Sequence, residues 1–97
     1  METELITITE YCAHSKVDLS FIIALEQSGL ITFTVIGEDK FIHHEQLVEI
    51  ERLVHFHYDL DINVEGIDAI LNLLLKIKKM QREIQELNTR LHLYVRN

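Results

Sequence analysis

The sequence predicts a mainly α-helical protein with a small β-hairpin: a winged helix-turn-helix module at residues 1–62, then a long helix with coiled-coil heptads at residues 63–97. Two short helical patterns meet at a three-residue turn, which is the spacing of a helix-turn-helix. An alternating, β-branched stretch follows them, as in the two strands of a wing. The last third of the chain keeps one apolar periodicity, with no glycine or proline after Gly66.

The helix-turn-helix lies within residues 9–30. We expect Thr9 to cap the first helix and Asp18 to cap the second, because their side-chain oxygens accept hydrogen bonds from free backbone amides. Residues 15–17 form the predicted turn between them. Gly29 follows Ser28 and is expected to end the second helix, since glycine adopts the left-handed conformation without steric cost.

The wing is predicted from the residues that follow Gly29. Residues 31–36 alternate in the manner of a strand and are rich in β-branched side chains. Residues 37–39 read as a turn, and residues 40–42 as a short return strand. Before the first helix, residues 5–8 form a short apolar segment that we expect to be extended.

A third helix is predicted from His43 or His44 to about Tyr58, with apolar residues recurring at helical spacing. The pattern breaks at residues 59–63. Asn63 is then expected to cap a last helix from Val64 to about residue 95, which would be roughly 48 Å long at 1.5 Å per residue.

The last helix carries a heptad seam. Its large apolar residues alternate in steps of three and four, the pattern of a coiled coil. Leaving such side chains in water costs roughly 1.5–3 kcal/mol each, so the seam predicts a homodimer. The pattern is compatible with parallel or antiparallel pairing. The predicted dimerisation residues are Ile70, Leu73, Ile77, Met80, Ile84, Leu87, Leu91 and Tyr94.

The net charge of −7 is concentrated in the first module. Residues 1–60 carry eleven Asp and Glu against Lys16, Lys40 and Arg52, a net −8, whereas residues 61–97 carry a net +1. An acidic module repels the phosphate backbone that supplies most DNA affinity and attracts basic protein surfaces. A surface that is acidic only to keep the protein soluble is the alternative.

The helix that would read DNA lacks the required chemistry. Reading helices present Arg, Lys, Asn or Gln to bases and phosphates, but residues 18–28 contain no Arg or Lys. The predicted wing tip is Glu38 and Asp39, with only Lys40 beside it. DNA is therefore not an expected partner.

Several other classes are disfavoured. No apolar run is long enough to span a membrane, and the first residues have neither the basic nor the apolar region of a secretory signal. Cys12 is the one cysteine, so it cannot form a disulfide within the chain, and a cytoplasmic setting is expected. The six histidines lack the helical spacing of a metal site. No catalytic constellation or phosphate loop is present, so we expect no enzyme activity and no cofactor.

The order of these elements resembles the MerR-type regulators. More closely, the chain resembles the CbpM-type chaperone modulators, over about residues 5–95. Residues 8–14 resemble the opening helix of that family, with its aromatic-Cys-x-His order. Residues 28–31 match the entry to the wing. Residues 52–54 and 59–63, followed by Gly66 and Ile67, match the join between the third and fourth helices.

The resemblance implies a homodimer that binds the J-domain of a DnaJ-like, CbpA-type co-chaperone. By occupying that domain, the dimer would block stimulation of the heat-shock chaperone. Since J-domains present a basic helix, acidic side chains are the expected contacts. A MerR-like transcription regulator that binds DNA is the alternative function. The expected partner-binding residues are Glu45 and Glu49 on the third helix with Asp59 and Asp61 beyond its end, and, as a second patch, Asp18 and Glu26.

Overall fold

The computed structural model describes residues 4–95; the ends of the two predicted segments, residues 1–3 and 96–97, lie outside the described residues. Helices dominate, a small antiparallel sheet accompanies them, and a long helix ends the chain, so the predicted fold class is confirmed. The elements are β1 (Leu5–Thr7), α1 (Ile8–Ser15), α2 (Leu19–Gln27), β2 (Thr34–Ile36), β3 (Asp39–His43), a 3₁₀ turn (His44–Gln46), α3 (Leu47–Tyr58) and α4 (Val64–Val95).

The first helix begins earlier than predicted. Thr7, not Thr9, is its N-cap: the Thr7 hydroxyl accepts a hydrogen bond from the Glu10 amide at 3.1 Å. The prediction of Thr9 was wrong because β1 leads directly into α1, and Ile8 is already helical and buried. A side chain at the last position of β1 is therefore the one that reaches the free amides.

The turn between α1 and α2 forms one residue later than predicted, because Ser15 is still part of α1. Lys16 takes a left-handed conformation with φ 56°, and the Val17 amide donates to the Cys12 carbonyl at 3.1 Å. Asp18 occupies the N-cap of α2, as expected, but its side chain makes no capping hydrogen bond. The predicted end of α2 is confirmed, since Gly29 follows it with φ 77°.

The wing is part of a three-stranded sheet in the order β1-β3-β2, rather than a lone hairpin. Leu5 pairs with His43 and Thr7 with Phe41, so the predicted extended entry segment becomes an edge strand. The His44 amide also donates to the Glu4 carbonyl at 2.8 Å. These contacts place the start of β1 beside the start of the 3₁₀ turn, and the start of α1 follows the pairing of Thr7 with Phe41.

The two wing strands differ from their predicted limits. β2 starts at Thr34 instead of residue 31, because Ile31 is buried in the core and the Gln46 side chain donates to the Thr32 carbonyl at 3.0 Å. The turn consists of Gly37 and Glu38 alone. Asp39 already pairs with Ile36, so β3 is longer than predicted. Gly37 has φ 63°, as two-residue hairpin turns require of their first residue.

The third helix is confirmed, with its first turn in the tighter 3₁₀ form. Ile50 and Leu53 are fully buried, whereas Glu49, Arg52 and His55 lie on the exposed face. One side of α3 therefore packs inward at the predicted helical spacing.

The core is formed by side chains from all parts of residues 8–67. The predicted cap of α4 is confirmed, because the Asn63 side-chain oxygen accepts from the Gly66 amide at 2.8 Å. Ile67, one turn further on, is completely buried. The first turns of α4 thus complete the core of the preceding module. The buried residues are Ile8, Tyr11, Cys12, Val17, Phe21, Ile22, Leu25, Ile31, Ile42, Ile50, Leu53 and Ile67.

Candidate partner-binding surfaces

The helix α2 stands where a helix-turn-helix protein would read DNA, and it presents acidic and apolar side chains. Its N-cap Asp18 is exposed, as are Glu26 and Gln27 in its last turn. Leu19, in its first turn, is 37% exposed. Since Lys and Arg supply the affinity for phosphates, this helix lacks the side chains with which a DNA-reading helix holds the phosphate backbone.

Two of the three cations of residues 1–60 already face other side chains of the module. The Arg52 guanidinium lies 3.1 Å from a Glu49 carboxylate oxygen and 6.0 Å from the centre of the Phe56 ring. The Lys40 ammonium lies 5.9 Å from the centre of the Phe33 ring. The electrostatic potential at the surface of the module is therefore set mainly by its carboxylates.

The start of α2 contacts the end of α3, and the loop that follows α2 lies beside the start of α3. At one end, the Asp18 amide donates to the Tyr58 hydroxyl at 2.9 Å, and Phe21 packs edge-on against Tyr58 with ring centres 5.7 Å apart. At the other end, the loop after α2 and the start of α3 form an open cleft. This cleft is lined by Gly29, Leu30, Ile31, Thr32, Gln46, Glu49 and Ile50.

In the structure, we divide the six carboxylates expected to bind a partner into two groups that differ from the two predicted patches. Asp18 and Glu26 stand at opposite ends of α2, roughly 12 Å apart along its axis. Glu49 and Asp59 are separated by roughly 15 Å along α3. The hydrogen bond from the Asp18 amide to the Tyr58 hydroxyl instead brings the N-cap of α2 to the Tyr58 side chain, and Asp59 follows Tyr58 directly in the chain.

We call the first group the Tyr58 surface, defined by Asp18, Leu19, Tyr58, Asp59, Leu60 and Asp61. Tyr58 is 43% exposed and Leu60 is 53% exposed, so the carboxylates alternate with accessible apolar groups. Asp59 forms a 2.6 Å hydrogen bond to His55, and that contact becomes an ion pair when the imidazole is protonated. Asp61 holds a left-handed conformation, with φ 56°.

The second group, the Glu49 surface, consists of Glu26, Glu45 and Glu49. Glu45 lies in the 3₁₀ turn, not in α3 as the sequence suggested. Glu49 contacts the Arg52 guanidinium, but both groups are exposed and such pairs are weak. The side chain of Val48 is largely exposed, and the open cleft beside Glu49 is lined by Leu30, Ile31 and Ile50, so this surface also has apolar area next to its charges.

The wing is no better suited to nucleic acid than α2. Glu38 lies at its turn and Asp39 begins β3, as the sequence indicated. Val35 and Ile36 on the outer strand β2 are both more than half exposed. A wing of this kind offers apolar and acidic groups at the edge of the sheet.

The predicted heptad seam of α4 is largely uncovered in the protomer. Ile70 is half-buried against the module, and the other seven residues are between 48% and 81% exposed. Leu71 and Leu74, on the neighbouring side of the helix, are half-buried. The seam residues in order are Ile70, Leu73, Ile77, Met80, Ile84, Leu87, Leu91 and Tyr94.

His43 and His57 make hydrogen bonds within the module, and Cys12 is a core residue. His57 stacks on Phe21 with ring centres 4.2 Å apart and bonds to the Ile62 carbonyl at 2.8 Å. His43 bonds to the Thr34 hydroxyl at 2.8 Å. Burial raises the pKa of the Cys12 thiol, and the nearby Asp18 charge adds to that effect. A protonated, enclosed thiol is a poor nucleophile.

Within residues 4–95, no three His, Cys, Asp or Glu side chains converge in a way that could hold a metal ion. Over the same residues, no helix combines the length and the apolar character needed to cross a bilayer. The accessible chemistry of the described chain is therefore that of its acidic surfaces and its apolar seam.

A helix-turn-helix with a wing and a long helix after it defines a regulatory protein of the helix-turn-helix class. The chain matches the family described as MerR HTH family regulatory protein over residues 6–89. It therefore belongs to the MerR-type helix-turn-helix regulatory family. No curated protein and no solved structure matches the chain.

The sequence did not single out the apolar members of the Tyr58 surface. The apolar spacing of the sequence predicts that Leu19 lies on the buried side of α2 and that Tyr58 lies on the inward side of α3. Their exposure follows from the packing of the two helix ends. Leu60 is the one apolar residue of this surface whose exposure the sequence could have indicated, because a leucine between two aspartates in a helix break has little to pack against locally.

Proposed function

We propose that this MerR-type protein is a chaperone modulator of the CbpM type. It binds the J-domain of a DnaJ-like, CbpA-type co-chaperone and so prevents that domain from stimulating its heat-shock chaperone. The observation that carries the proposal is the chemistry of α2. In the place of DNA-reading cations, this helix has Leu19 beside the carboxylate of Asp18.

The Tyr58 surface is the contact that we assign to the partner. Its three carboxylates complement a basic helix, which steers association and selects the partner. Tyr58 and Leu60 add apolar area that a partner covers, and tyrosine is among the residues that dominate binding energy at interfaces. At the Glu49 surface, the carboxylate of Glu49 is already paired with the permanently charged guanidinium of Arg52, which leaves less negative charge for a partner.

The functional unit in this proposal is a homodimer joined by the heptad seam of α4. The exposed seam supports this, because a second copy removes its large apolar side chains from water. Each protomer then keeps its own Tyr58 surface, which lies on the α2 and α3 side of the module.

Two matched triple variants test the proposal. D18N/D59N/D61N and E26Q/E45Q/E49Q each remove three negative charges with amides of nearly the same shape, one from each surface. Asn is as good as Asp at a helix N-cap and tolerates the left-handed conformation of Asp61. Binding to a purified J-domain from the same organism is measured by calorimetry and stopped-flow mixing at two salt concentrations.

We expect the first variant to slow association about ten-fold at low salt and to flatten its salt dependence, because electrostatic steering acts mainly on the association rate. The second variant is expected to stay within about two-fold of the parent. The reverse order would move the contact to the Glu49 surface. If the parent protein binds no J-domain, the proposed function is wrong and the DNA-binding alternative takes its place.

A further inference from the structure

The middle of α4 is basic, in contrast to the acidic module that precedes it. Between Asp68 and Glu83 the helix contains no Asp or Glu, and four cations fall within seven residues. All four are exposed to solvent. Within residues 4–95, none of the four makes an ion pair. These cations are Lys76, Lys78, Lys79 and Arg82.

An open cleft lies beside Lys78, between α3 and α4. Its volume is about 310 Å³, near the lower end of the usual range for ligand sites, roughly 300–1,000 Å³. Lys78 and Arg52 border the cleft. Glu49 also lines it, and the Glu49 carboxylate lies 3.1 Å from the Arg52 guanidinium. The apolar side of the cleft consists of three leucines of α4, which are Leu71, Leu74 and Leu75.

The cations lie away from the heptad seam. With Ile70 at position a of its heptad, Lys78 and Lys79 take positions b and c of the next one. Leu75 and Arg82 take position f of successive heptads. The seam uses positions a and d, and positions b, c and f point outward from it. Pairing along the seam therefore does not cover these side chains.

We propose that this part of the protein binds a short acidic segment of a partner protein. An apolar side chain of the segment packs in the cleft, and the carboxylates beside it face the cations. The proposal goes beyond the proposed function, because such a segment carries the opposite charge to the basic helix expected at the Tyr58 surface. We call the site the Lys78 surface, defined by Arg52, Leu71, Leu75, Lys78, Lys79 and Arg82.

The chemistry of the Lys78 surface favours a peptide over a nucleic acid or a lipid bilayer. The leucines suit an apolar side chain, and the residues that line the cleft include no aromatic ring on which a base would stack. Lys78 to Arg82 extends about 6 Å along the helix, so a few carboxylates match its cations. A duplex or an anionic bilayer extends further and would bring its phosphates against the net −8 of residues 1–60.

Binding needs both the cations and the cleft. Exposed ion pairs are individually weak, so the cations mainly steer the segment and select its charge. Burial of an apolar side chain against the leucines supplies the remaining affinity. Glu49 opposes the segment, because its carboxylate lines the cleft and contacts the Arg52 guanidinium.

A labelled peptide tests the role of the cations. The probe is Glu-Asp-Glu-Leu-Leu-Asp-Glu-Asp with a fluorescein group, and its binding to the full chain is followed by fluorescence anisotropy. We expect saturable binding that weakens as salt rises, because salt screens exposed charges. The triple variant K78Q/K79Q/R82Q is expected to weaken binding about ten-fold at low salt.

The matched control is K16Q/K40Q/R90Q, which removes the same number of positive charges from three other exposed positions. It should stay within about two-fold of the parent, because those cations lie outside the Lys78 surface. Equal losses in the two triple variants would show that the probe responds only to net charge, and they would overturn the proposal.

Two single variants test the cleft. Leu75→Ala should weaken binding of the probe about three-fold, but it should leave unchanged the binding of a second peptide in which serine replaces both leucines. Glu49→Gln frees the Arg52 guanidinium and removes a carboxylate from the cleft, so it should tighten binding about two-fold. An equal effect of Leu75→Ala on the two peptides would overturn the apolar contact and with it the proposal.

A parent protein without saturable binding of the probe would also overturn the proposal. Tighter binding of duplex DNA or of phosphatidylserine vesicles, lost in K78Q/K79Q/R82Q, would assign the surface to phosphates instead. Binding of the J-domain is measured separately and should stay within about two-fold of the parent in K78Q/K79Q/R82Q. Failure of the Lys78 surface thus leaves the proposed function standing, and failure of J-domain binding leaves the Lys78 surface standing.

Discussion

A methyl group at Gly66 would lie 2.7 Å from Ile62 Cγ2 and 3.0 Å from the Asn63 side-chain oxygen. That oxygen caps α4 through the Gly66 amide itself. The absence of a Cβ thus lets the chain pack Ile62 against the first turn of the helix. The close contacts of Gly66 with Ile62 and Asn63 therefore determine the direction in which α4 extends from the module.

We expect Gly66→Ala to destabilise the protein by about 1–3 kcal/mol. Alanine favours helix interiors by roughly 1 kcal/mol over glycine, but displacing the cap costs about 1 kcal/mol and crowding Ile62 costs a further 1–3 kcal/mol. Urea unfolding measures the net effect. Asn72→Ala, on the exposed side of the same helix, is the control and should change stability by less than about 0.5 kcal/mol. A stabilised G66A protein would mean that Ile62 moves aside freely.

Cys12 is predicted to react slowly in the native protein. Burial raises the pKa of its thiol, so less thiolate is present at a given pH, and access is restricted as well. Alkylation by iodoacetamide at pH 8 is expected to be at least about ten-fold slower than in urea. Because the folded state holds the proton more tightly, stability should also fall as pH rises past the ordinary thiol range. Equal rates in the two states would contradict the burial of Cys12.

At the scale of an element, the helix α4 is buried in the module at its start and exposed to solvent over the rest of its length. Its first turns are buried in the module through Ile67, with Ile70, Leu71 and Leu74 half-buried beside it. From Ile77 onward the helix has no cover from its own protomer. The predicted boundary between residues 62 and 63 coincides with the helix start, but the core of the module extends past it.

We expect Ile67→Ala to cost about 2–5 kcal/mol, the usual range for truncating a fully buried aliphatic side chain. Leu75→Ala, on the exposed side two turns later, should cost less than about 0.5 kcal/mol. Thermal or urea unfolding of both variants at one protein concentration makes the comparison. Similar losses for the two variants would show that α4 is attached through its exposed side instead.

At the scale of the whole molecule, an acidic module is joined to a helix that projects well beyond it. The longest dimension is 63 Å, although the chain has only 97 residues. Such a shape leaves the apolar seam accessible to a second copy. In the proposed function, dimerisation and partner binding therefore use different parts of the surface.

The seam predicts a dimer at micromolar concentration. Light scattering should give about twice the chain mass, and Leu87→Lys or Ile84→Lys should weaken the dimer strongly, because each places an unpaired charge in an apolar interface. Glu86→Lys, on the outward side of the helix, is the matched control. A parent protein that scatters as a single chain would rule out the dimer.

DNA affinity is expected to be negligible at physiological salt. The net −8 of residues 1–60 repels phosphates, and α2 has no cation with which to release counterions. Fluorescence anisotropy with duplex DNA at about 0.15 M salt is the measurement. Sub-micromolar binding to any duplex would contradict this expectation and favour a transcription regulator.

Local patterns were sufficient to predict most of the helices. The end of α2 at Gly29, the cap at Asn63 and the course of α4 from Val64 to Val95 all follow from residues within a few positions of one another. A helix cap or a heptad can be predicted from neighbouring residues in the sequence, because the hydrogen bonds and side-chain contacts that define it span only three to seven residues. The seam and the absence of DNA-reading cations were likewise properties of single stretches.

Tertiary contacts decided what local patterns could not. The pairing of Leu5 with His43 turned an apolar entry into a strand and moved the first cap to Thr7. The hydrogen bond from Asp18 to Tyr58, between residues 40 positions apart, joined the start of α2 to the end of α3. No periodicity encodes such a contact, because it depends on how whole elements pack around Ile22, Leu53 and the rest of the core.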